Sequence, residues 1–430
     1  MSIQKKITQN VLFRVIGYTG TTGILRLGVG LVAQKVIAVF LGASGLAILA
    51  NLRNLIEILT SFSSVGAQNG IIAETASSQN KQAFRLLINT TITMFLGASI
   101  LLAILLLWQH EWIAMQLYID ATYGVIIQAL AFTIPFMGLT LLMEAVLSGK
   151  KAFKTVSNLQ LVSAISSAFL MIMLLYYYGI KGALCALLLR TVFTFIIYFI
   201  YFKLTDYGEY FFSGFRLDFS KIKFLLPYIF MAFVSVGFVH AINIGLRSFI
   251  TSKIDLQSAG LWTAMNAISS NYFVFITAIF SLYVLPRFSE KTISFNLFDE
   301  SKKILKTLVP IITLGLLGVY VFREFITKLL FSTDFTAITS LFKWQLVADW
   351  FRVIFLVFGY YLVAKKELMK YFIVELFSFS MLIGLSYCWI DSFGIEGVVM
   401  ASAVRYVGCL ILVVFLLRKK LTRTYGSRMD

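Results

Sequence analysis

Stretches of about 20 apolar residues follow one another along almost the whole of this chain, separated by short segments that carry lysine, arginine and a few acids. A run of that length crosses the hydrocarbon core of a bilayer as a helix, since each residue rises 1.5 Å and the core is about 30 Å thick. Twelve spans are predicted, at 12–40, 43–71, 83–108, 118–147, 155–178, 182–203, 223–248, 257–285, 304–322, 337–364, 370–389 and 395–418. The short segments of alternating polarity that mark a membrane β-barrel are missing. The pattern therefore predicts an all-α polytopic membrane protein.

The spans repeat. Gly179-Ile180-Lys181-Gly182, then Ala186, Arg190 and Val192, recurs as Gly394-Ile395-Glu396-Gly397, Ala401, Arg405 and Val407. Gly45-Leu46 with Asn51 recurs as Gly260-Leu261 with Asn266, and Lys150-Lys151 as Lys365-Lys366. Every pair is 215 residues apart, half of the 430-residue length. The predicted organisation is two six-helix lobes, 1–204 and 223–430, joined by a charged linker at 205–222 that holds Asp206, Glu209, Arg216, Asp218 and Lys221. Transporters built from such halves bind cargo between them.

Composition agrees: 59% of the residues are hydrophobic and 13% charged, with a mean hydropathy of +0.88, against about half and a quarter in soluble domains. The net charge of +17 would suit nucleic acid, but the cations sit in short loops between apolar spans, so no nucleic acid partner is expected. With both termini in the cytoplasm, the inner segments hold 25 Lys and Arg and the outer loops five: Lys181, Arg247, Lys253, Arg323 and Lys328. That asymmetry sets the orientation. Cys185, Cys388 and Cys409 fall inside spans with no metal or disulfide spacing. Lys5, Lys6 and Arg14 lead into a long span without a small-residue cleavage site, so no cleavable signal is expected. Trp108, Trp112, Trp262 and Trp389 stand near span ends, where an interfacial belt would place them.

The seven remaining cations, Arg26, Lys35, Arg53, Arg190, Lys343, Arg352 and Arg405, lie within spans, beside Glu57, Glu144, Asp349 and Glu375. Each costs at least about 2.5–3.5 kcal/mol at the bilayer centre, so they must face water or one another. The excess of positive charge favours an anion. Arg26 is mid-span; Lys35, nine residues on, falls on the opposite side of a straight helix unless Gly28 and Gly30 bend it. Arg53 and Glu57 share a face and are either a structural ion pair or an anion-binding arginine tuned by its carboxylate, with Asn51 and Asn54 as nearby donors. Gln345, Asp349 and Arg352 form one stripe in which the last two are expected to pair. Arg190 and Arg405 are repeat equivalents, which favours a structural role, and Glu144 and Glu375 are their candidate partners or proton sites.

No Walker, GxSxG, DxD or HExxH pattern occurs and no outer loop exceeds roughly 15 residues. Energy must then come from an ion gradient, the membrane potential or the substrate. No cofactor is expected, with H+ or Na+ as candidate coupling ions.

Four segments carry a family resemblance: Phe335-Thr336-Ala337 with Leu341-Phe342-Lys343-Trp344-Gln345-Leu346-Val347-Ala348-Asp349; Ser281-Leu282-Tyr283-Val284-Leu285-Pro286; Gly42-Ala43-Ser44-Gly45-Leu46 with Ala50-Asn51-Leu52-Arg53; and Phe358-Gly359-Tyr360 with Ala364-Lys365. By these the chain resembles the Wzx-type flippases of bacterial lipid-linked oligosaccharides, the O-antigen translocases and enterobacterial common antigen flippases. They belong to the multidrug/oligosaccharidyl-lipid/polysaccharide exporter superfamily. The resemblance implies two lobes around a central cationic cavity, alternating access and a place in the bacterial inner membrane. It implies an undecaprenyl-pyrophosphate-linked oligosaccharide as substrate, moved from the cytoplasmic to the periplasmic leaflet, and a polysaccharide polymerase and chain-length regulator as partners. Arg26, Arg53, Asn51, Glu57 and Asn266 would then bind substrate, while Asp349, Arg352, Gln345, Lys35 and Glu375 would line the cavity or couple the cycle to an ion.

Two rivals remain. A multidrug cation antiporter of the same superfamily would want a net acidic cavity, against the cationic excess here. A polytopic oligosaccharide polymerase would want a large catalytic outer loop.

Overall fold

A computed structural model describes residues 3–64, 67–77, 81–118, 124–205, 218–232, 237–284, 287–288, 297–365 and 367–421, with their side chains apart from those of 3–17, 77, 81, 83, 227, 228, 230–232, 281, 282, 368 and 419–421. Every regular element among them is helical. In chain order they are α1 (Ile3–Ser63), α2 (Gln68–Ser77), α3 (Lys81–Trp108), α4 (His110–Gln116), α5 (Gly124–Gly149), α6 (Phe153–Lys203), α7 (Phe219–Ala232), α8 (Phe238–Lys253), α9 (Leu256–Ile279), α10 (Leu297–Val321), α11 (Arg323–Leu330), α12 (Ile338–Ala364) and α13 (Leu368–Leu421). Most of the expected linker, residues 206–217, lies outside the described residues, as does Pro286.

Three helices are long enough to hold two predicted spans each, and each breaks at one glycine: α1 at Gly42, α6 at Gly179 and α13 at Gly394. Gly179 and Gly394, which are 215 residues apart, take nearly the same left-handed conformation, with φ of 56° and 57° and ψ of −137° and −141°. Side chains disfavour that region, so glycine sets where the helix breaks. The chain doubles back there. A Cβ placed on Gly182 would lie 1.9 Å from the Leu174 carbonyl oxygen, and one on Gly397 would lie 2.6 Å from that of Trp389. In a straight helix, residues eight apart are about 12 Å apart along the axis. Gly28 and Gly30 are helical, so α1 has no break beside Arg26. Pro135 and Pro310 also sit inside continuous helices, α5 and α10.

The chain folds as two compact units, one of residues 1–41 and 48–248, the other of residues 42–47 and 249–430. In the first unit α5 is the central helix, packed against α2, α3, α4 and α6. Its core joins Phe84, Leu87 and Phe95 to Leu142, Val146, Tyr198 and Phe202. In the second unit α12 takes that place, packed against α9, α10 and α13, with Phe280, Phe288, Phe358 and Tyr361 in its core. In this unit a Cβ on Gly260 would meet the Ala43 carbonyl oxygen at 1.9 Å, so only glycine lets the two backbones meet.

Outward faces are apolar. Phe132, Phe169 and Leu314 are 70%, 69% and 71% exposed, a surface that suits lipid and not water. Seven helices, among them the three that break, are long and apolar enough to cross a membrane. The protein is a multi-pass, all-α membrane protein. Trp108 and Trp112 are exposed as an interfacial belt requires, but Trp262 is buried, because its position in α9 faces the packed interior.

Candidate functional site

The second half of α1 separates its polar residues by face. Asn51 and Asn54 are three apart and Arg53 and Glu57 four apart, and the two pairs point in different directions, since one residue turns the helix by about 100°. Asn51 and Asn54 are buried; Arg53 and Glu57 are exposed. A charge exposed within a span has to face water, because facing lipid is costly.

Asn51 uses both ends of its amide. Its Nδ2 donates to the Leu117 carbonyl at the end of α4 at 3.2 Å, and its Oδ1 accepts from Arg247 Nη1 at 2.6 Å. Asn54 also serves Arg247. In the amide orientation that satisfies both neighbours, its oxygen accepts from Arg247 at 2.8 and 3.1 Å while its nitrogen donates to His240 Nδ1 at 3.2 Å. Arg247 is thus a buried cation to which two uncharged acceptors, Asn51 and Asn54, are bound. The sequence alone places it in an outer loop; the structure extends α8 to Lys253 and puts Arg247 inside the unit, 5% exposed.

The charges of this unit act on one another. Arg53 is repelled by Arg190 and attracted by Glu57, Arg247 feels Arg53, and His240 feels Glu57 and Arg247. Arg53 and Glu57 make no direct ion pair among the described residues, contrary to the simplest reading of their spacing. Arg190, expected to be structural, is exposed and within electrostatic reach of Arg53. Arg53 is thus within electrostatic reach of two other arginines, Arg190 and Arg247, and of one carboxylate, Glu57, a local excess of positive charge suited to an anion such as phosphate, whose oxygens match the arginine fork.

Arg26 belongs to a separate network. Its Nη1 donates to Gln160 Oε1, Gln160 Nε2 donates to Glu144 Oε1 at 2.7 Å, and Tyr198 donates to Glu144 Oε2 at 3.2 Å. The arginine and the glutamate thus balance each other through an amide. Lys35 is half-buried on the other side of α1.

In the second unit Asp349 is buried and ringed by donors: Ser269 Oγ at 2.7 Å, Gln345 Nε2 at 3.2 Å and the Tyr272 hydroxyl. The expected Asp349–Arg352 pair does not form. Arg352 lies over the Phe273 ring at 4.0 Å, where the aromatic face holds it, and Asp349 reaches it only through space. Glu375 shares a hydrogen bond with Tyr371 and is attracted to Arg405 and Arg352. Asn266 donates to its own helix, at the Trp262 carbonyl, 3.0 Å away.

Arg247, His240, Gln160, Ser269 and Tyr272 are absent from the set read from the sequence. One signal was available for two of them. Asn51, Asn54 and Glu57 have Asn266, Ser269 and Tyr272 at positions 215 residues later, so the same helix positions are polar in both halves.

The fold is shared with known transporters. The structure named "Lipid II flippase MurJ, inward closed conformation" superimposes with a TM-score of 0.73 at 15% identity, covering 93% of this chain and 87% of that one. An inward-facing multidrug resistance MATE family transporter of the MOP superfamily gives 0.72 at 14% identity, covering 94% and 99%. In sequence, the lipid III flippases of Escherichia coli (strain K12) and Shigella flexneri are each 29% identical over 399 residues, covering 91% of this chain and 94% of theirs. Since residues 36–340, well over half of the chain, match its pattern, this protein belongs to the polysaccharide biosynthesis protein family.

Proposed function

We propose that this protein is a flippase that carries a polyprenyl-pyrophosphate-linked oligosaccharide across the bacterial inner membrane, from the cytoplasmic to the periplasmic leaflet. The observation that carries the reading is the local excess of positive charge in a membrane-spanning unit, where Arg53 lies within electrostatic reach of Arg190 and Arg247 and of one carboxylate, Glu57. Arg53 and Arg190 are exposed and take the pyrophosphate; Arg247, anchored by Asn51 and Asn54, adds positive charge behind them. The lipid tail stays in the bilayer while the site opens alternately to the two sides. With the termini in the cytoplasm, an inside-negative potential of 100 mV drives each negative charge outward by about 2.3 kcal/mol. Asp349 is the coupling group for H+ or Na+, a buried carboxylate whose donors hold it in place. A cation antiporter is the weaker reading, since exposed arginines repel its cargo.

Reconstitution into liposomes with a fluorescent polyprenyl-pyrophosphate oligosaccharide tests the proposal. Wild type is expected to move the lipid to the far leaflet, and Arg53→Ala to do so at least about tenfold more slowly while remaining monodisperse. Equal rates would remove Arg53 from the site. Transport of organic cations in place of the lipid would overturn the reading.

A further inference from the structure

We infer that His240 is a proton-operated positioning residue for the anion site, acting on Arg247 through the side-chain amide of Asn54; this rests on the flippase reading above. A neutral His240 lets Asn54 hold Arg247 in place, and a protonated one makes Asn54 release it.

His240 and Arg247 are seven residues apart on α8, about two turns, and so share a face of that helix. Asn54 of α1 stands against both. Its nitrogen donates to His240 Nδ1 at 3.2 Å, and its oxygen accepts from Arg247 Nη2 at 2.8 Å and Nη1 at 3.1 Å. An amide nitrogen only donates, so Nδ1 is the acceptor and the ring is neutral, with its proton on Nε2. His240 is half-buried, within reach of water, while Asn54 is buried.

Protonation puts a hydrogen on Nδ1, and two donors then face each other. Turning the Asn54 amide over repairs that contact, because its oxygen comes to stand 3.2 Å from Nδ1. The same turn points the amide nitrogen at Nη1 and Nη2 of Arg247, which are donors as well. The oxygen cannot be at both ends at once. With a charged ring, Arg247 therefore gives up its bonds to Asn54 and keeps the one to Asn51, at 2.6 Å.

Charge sets the direction of the effect. Among the described residues, the groups that act on His240 are Glu57 of α1 and Arg247 of α8. An imidazolium offsets Glu57, the carboxylate within reach of Arg53. Arg247 is also within reach of Arg53, and once it pivots on Asn51 an anion bound at Arg53 draws it closer. Both changes favour the anion. Anion affinity is then highest with His240 protonated and falls as pH rises through its midpoint; by reciprocity the anion draws a proton onto the ring.

Inorganic pyrophosphate is the probe, titrated by calorimetry into wild type, His240→Gln and Asn54→Ala in detergent at about pH 8 and about pH 5, on either side of the ordinary imidazole value. Glutamine keeps an acceptor for the Asn54 nitrogen and takes no proton. Pyrophosphate gains protons of its own over this range, which cancels in the ratio of wild-type to variant affinity. That ratio is expected to be about tenfold larger at the lower pH for each variant, the size of one hydrogen bond to a charged group. A ratio that does not change with pH for His240→Gln would overturn the switch. A change for His240→Gln but none for Asn54→Ala would show that the imidazolium acts by charge alone, and would overturn the part given to Asn54. Absence of pyrophosphate binding by wild type at both pH values would count against the flippase reading. Nitrogen NMR of His110→Gln, which leaves His240 as the one histidine of the two in the sequence, then decides the relay. A neutral ring protonated on Nε2, with an Asn54 amide signal that moves as the ring titrates, supports it; a proton on Nδ1 or an unmoved amide overturns it.

Discussion

Arg247 donates to Asn51 across 196 residues of sequence at 2.6 Å, and neither side chain has appreciable contact with solvent. A buried cation held by neutral acceptors is costly to strand. Asn51→Ala removes an acceptor from Arg247 and a donor from the Leu117 carbonyl, and is expected to destabilise the protein by about 2–4 kcal/mol in thermal unfolding in detergent. Pairing Asn51→Leu with Arg247→Met should restore much of that stability, since both ends of the polar contact are then gone, while lipid transport stays lost. A melting curve for Asn51→Ala that matches wild type would show that the contact is not structural.

Gly260 gives a second test. Its α-carbon faces the Ala43 carbonyl so closely that an added methyl group would overlap it. Gly260→Ala should cost about 3 kcal/mol, the upper end for overpacking, because backbone must move. Gly28→Ala has nothing within 4 Å of the new methyl group and lies in a helix interior, so it should match or slightly exceed wild-type stability. Reversal of that order in detergent unfolding would contradict the close approach of Gly260 to Ala43.

At the two breaks in α6 and α13, the left-handed conformation should make Gly179→Ala and Gly394→Ala each cost about 1–2 kcal/mol. Beside them, Gly182→Ala should destabilise more than Gly397→Ala, because the carbonyl it meets is 1.9 Å away instead of 2.6 Å. Paired melting curves rank the four variants, and equal midpoints for the last two would argue against the turn geometry.

Asp349 separates structural from coupling roles. Asp349→Ala leaves the donors of Ser269, Tyr272 and Gln345 buried without their acceptor, at an expected cost of about 3 kcal/mol. Asp349→Asn keeps an acceptor oxygen and the volume, and should fold. Initial transport rates in liposomes with and without an imposed proton or sodium gradient are expected to differ for wild type and to coincide for Asp349→Asn. A gradient dependence that survives the substitution would move the coupling elsewhere.

Much of this was readable along the chain. Apolar runs marked the spans because a bilayer accepts backbone only when its hydrogen bonds are made internally. Gly42, Gly179 and Gly394 fall between predicted spans, and the helices break there. Arg53 was readable as a candidate because a charge inside an apolar run is expensive wherever it points. Partners were harder. Arg247 looked like a loop cation because its span ends near it, and the spacing of Asp349 and Arg352 suggested a pair. Neighbours on one helix can meet, but partners from other helices compete for them. Ser269 and Tyr272 of α9 bond Asp349 alongside Gln345 of its own helix, and Phe273 of α9 offers Arg352 an aromatic face.

The sequence by itself thus determined what depends on local composition: a membrane-spanning all-helical chain, the places where its helices break, and an excess of buried positive charge. Tertiary structure alone decided how that charge is divided. Asn51, Asn54 and α8 bring Arg247 into the same unit as Arg53 and Arg190, while Gln160 and Glu144 hold Arg26 in a network of its own. The physical reason is range. Hydropathy and helix breaking act within a few turns, whereas hydrogen bonds to buried charges are made by whichever distant side chains the packing brings within about 3 Å.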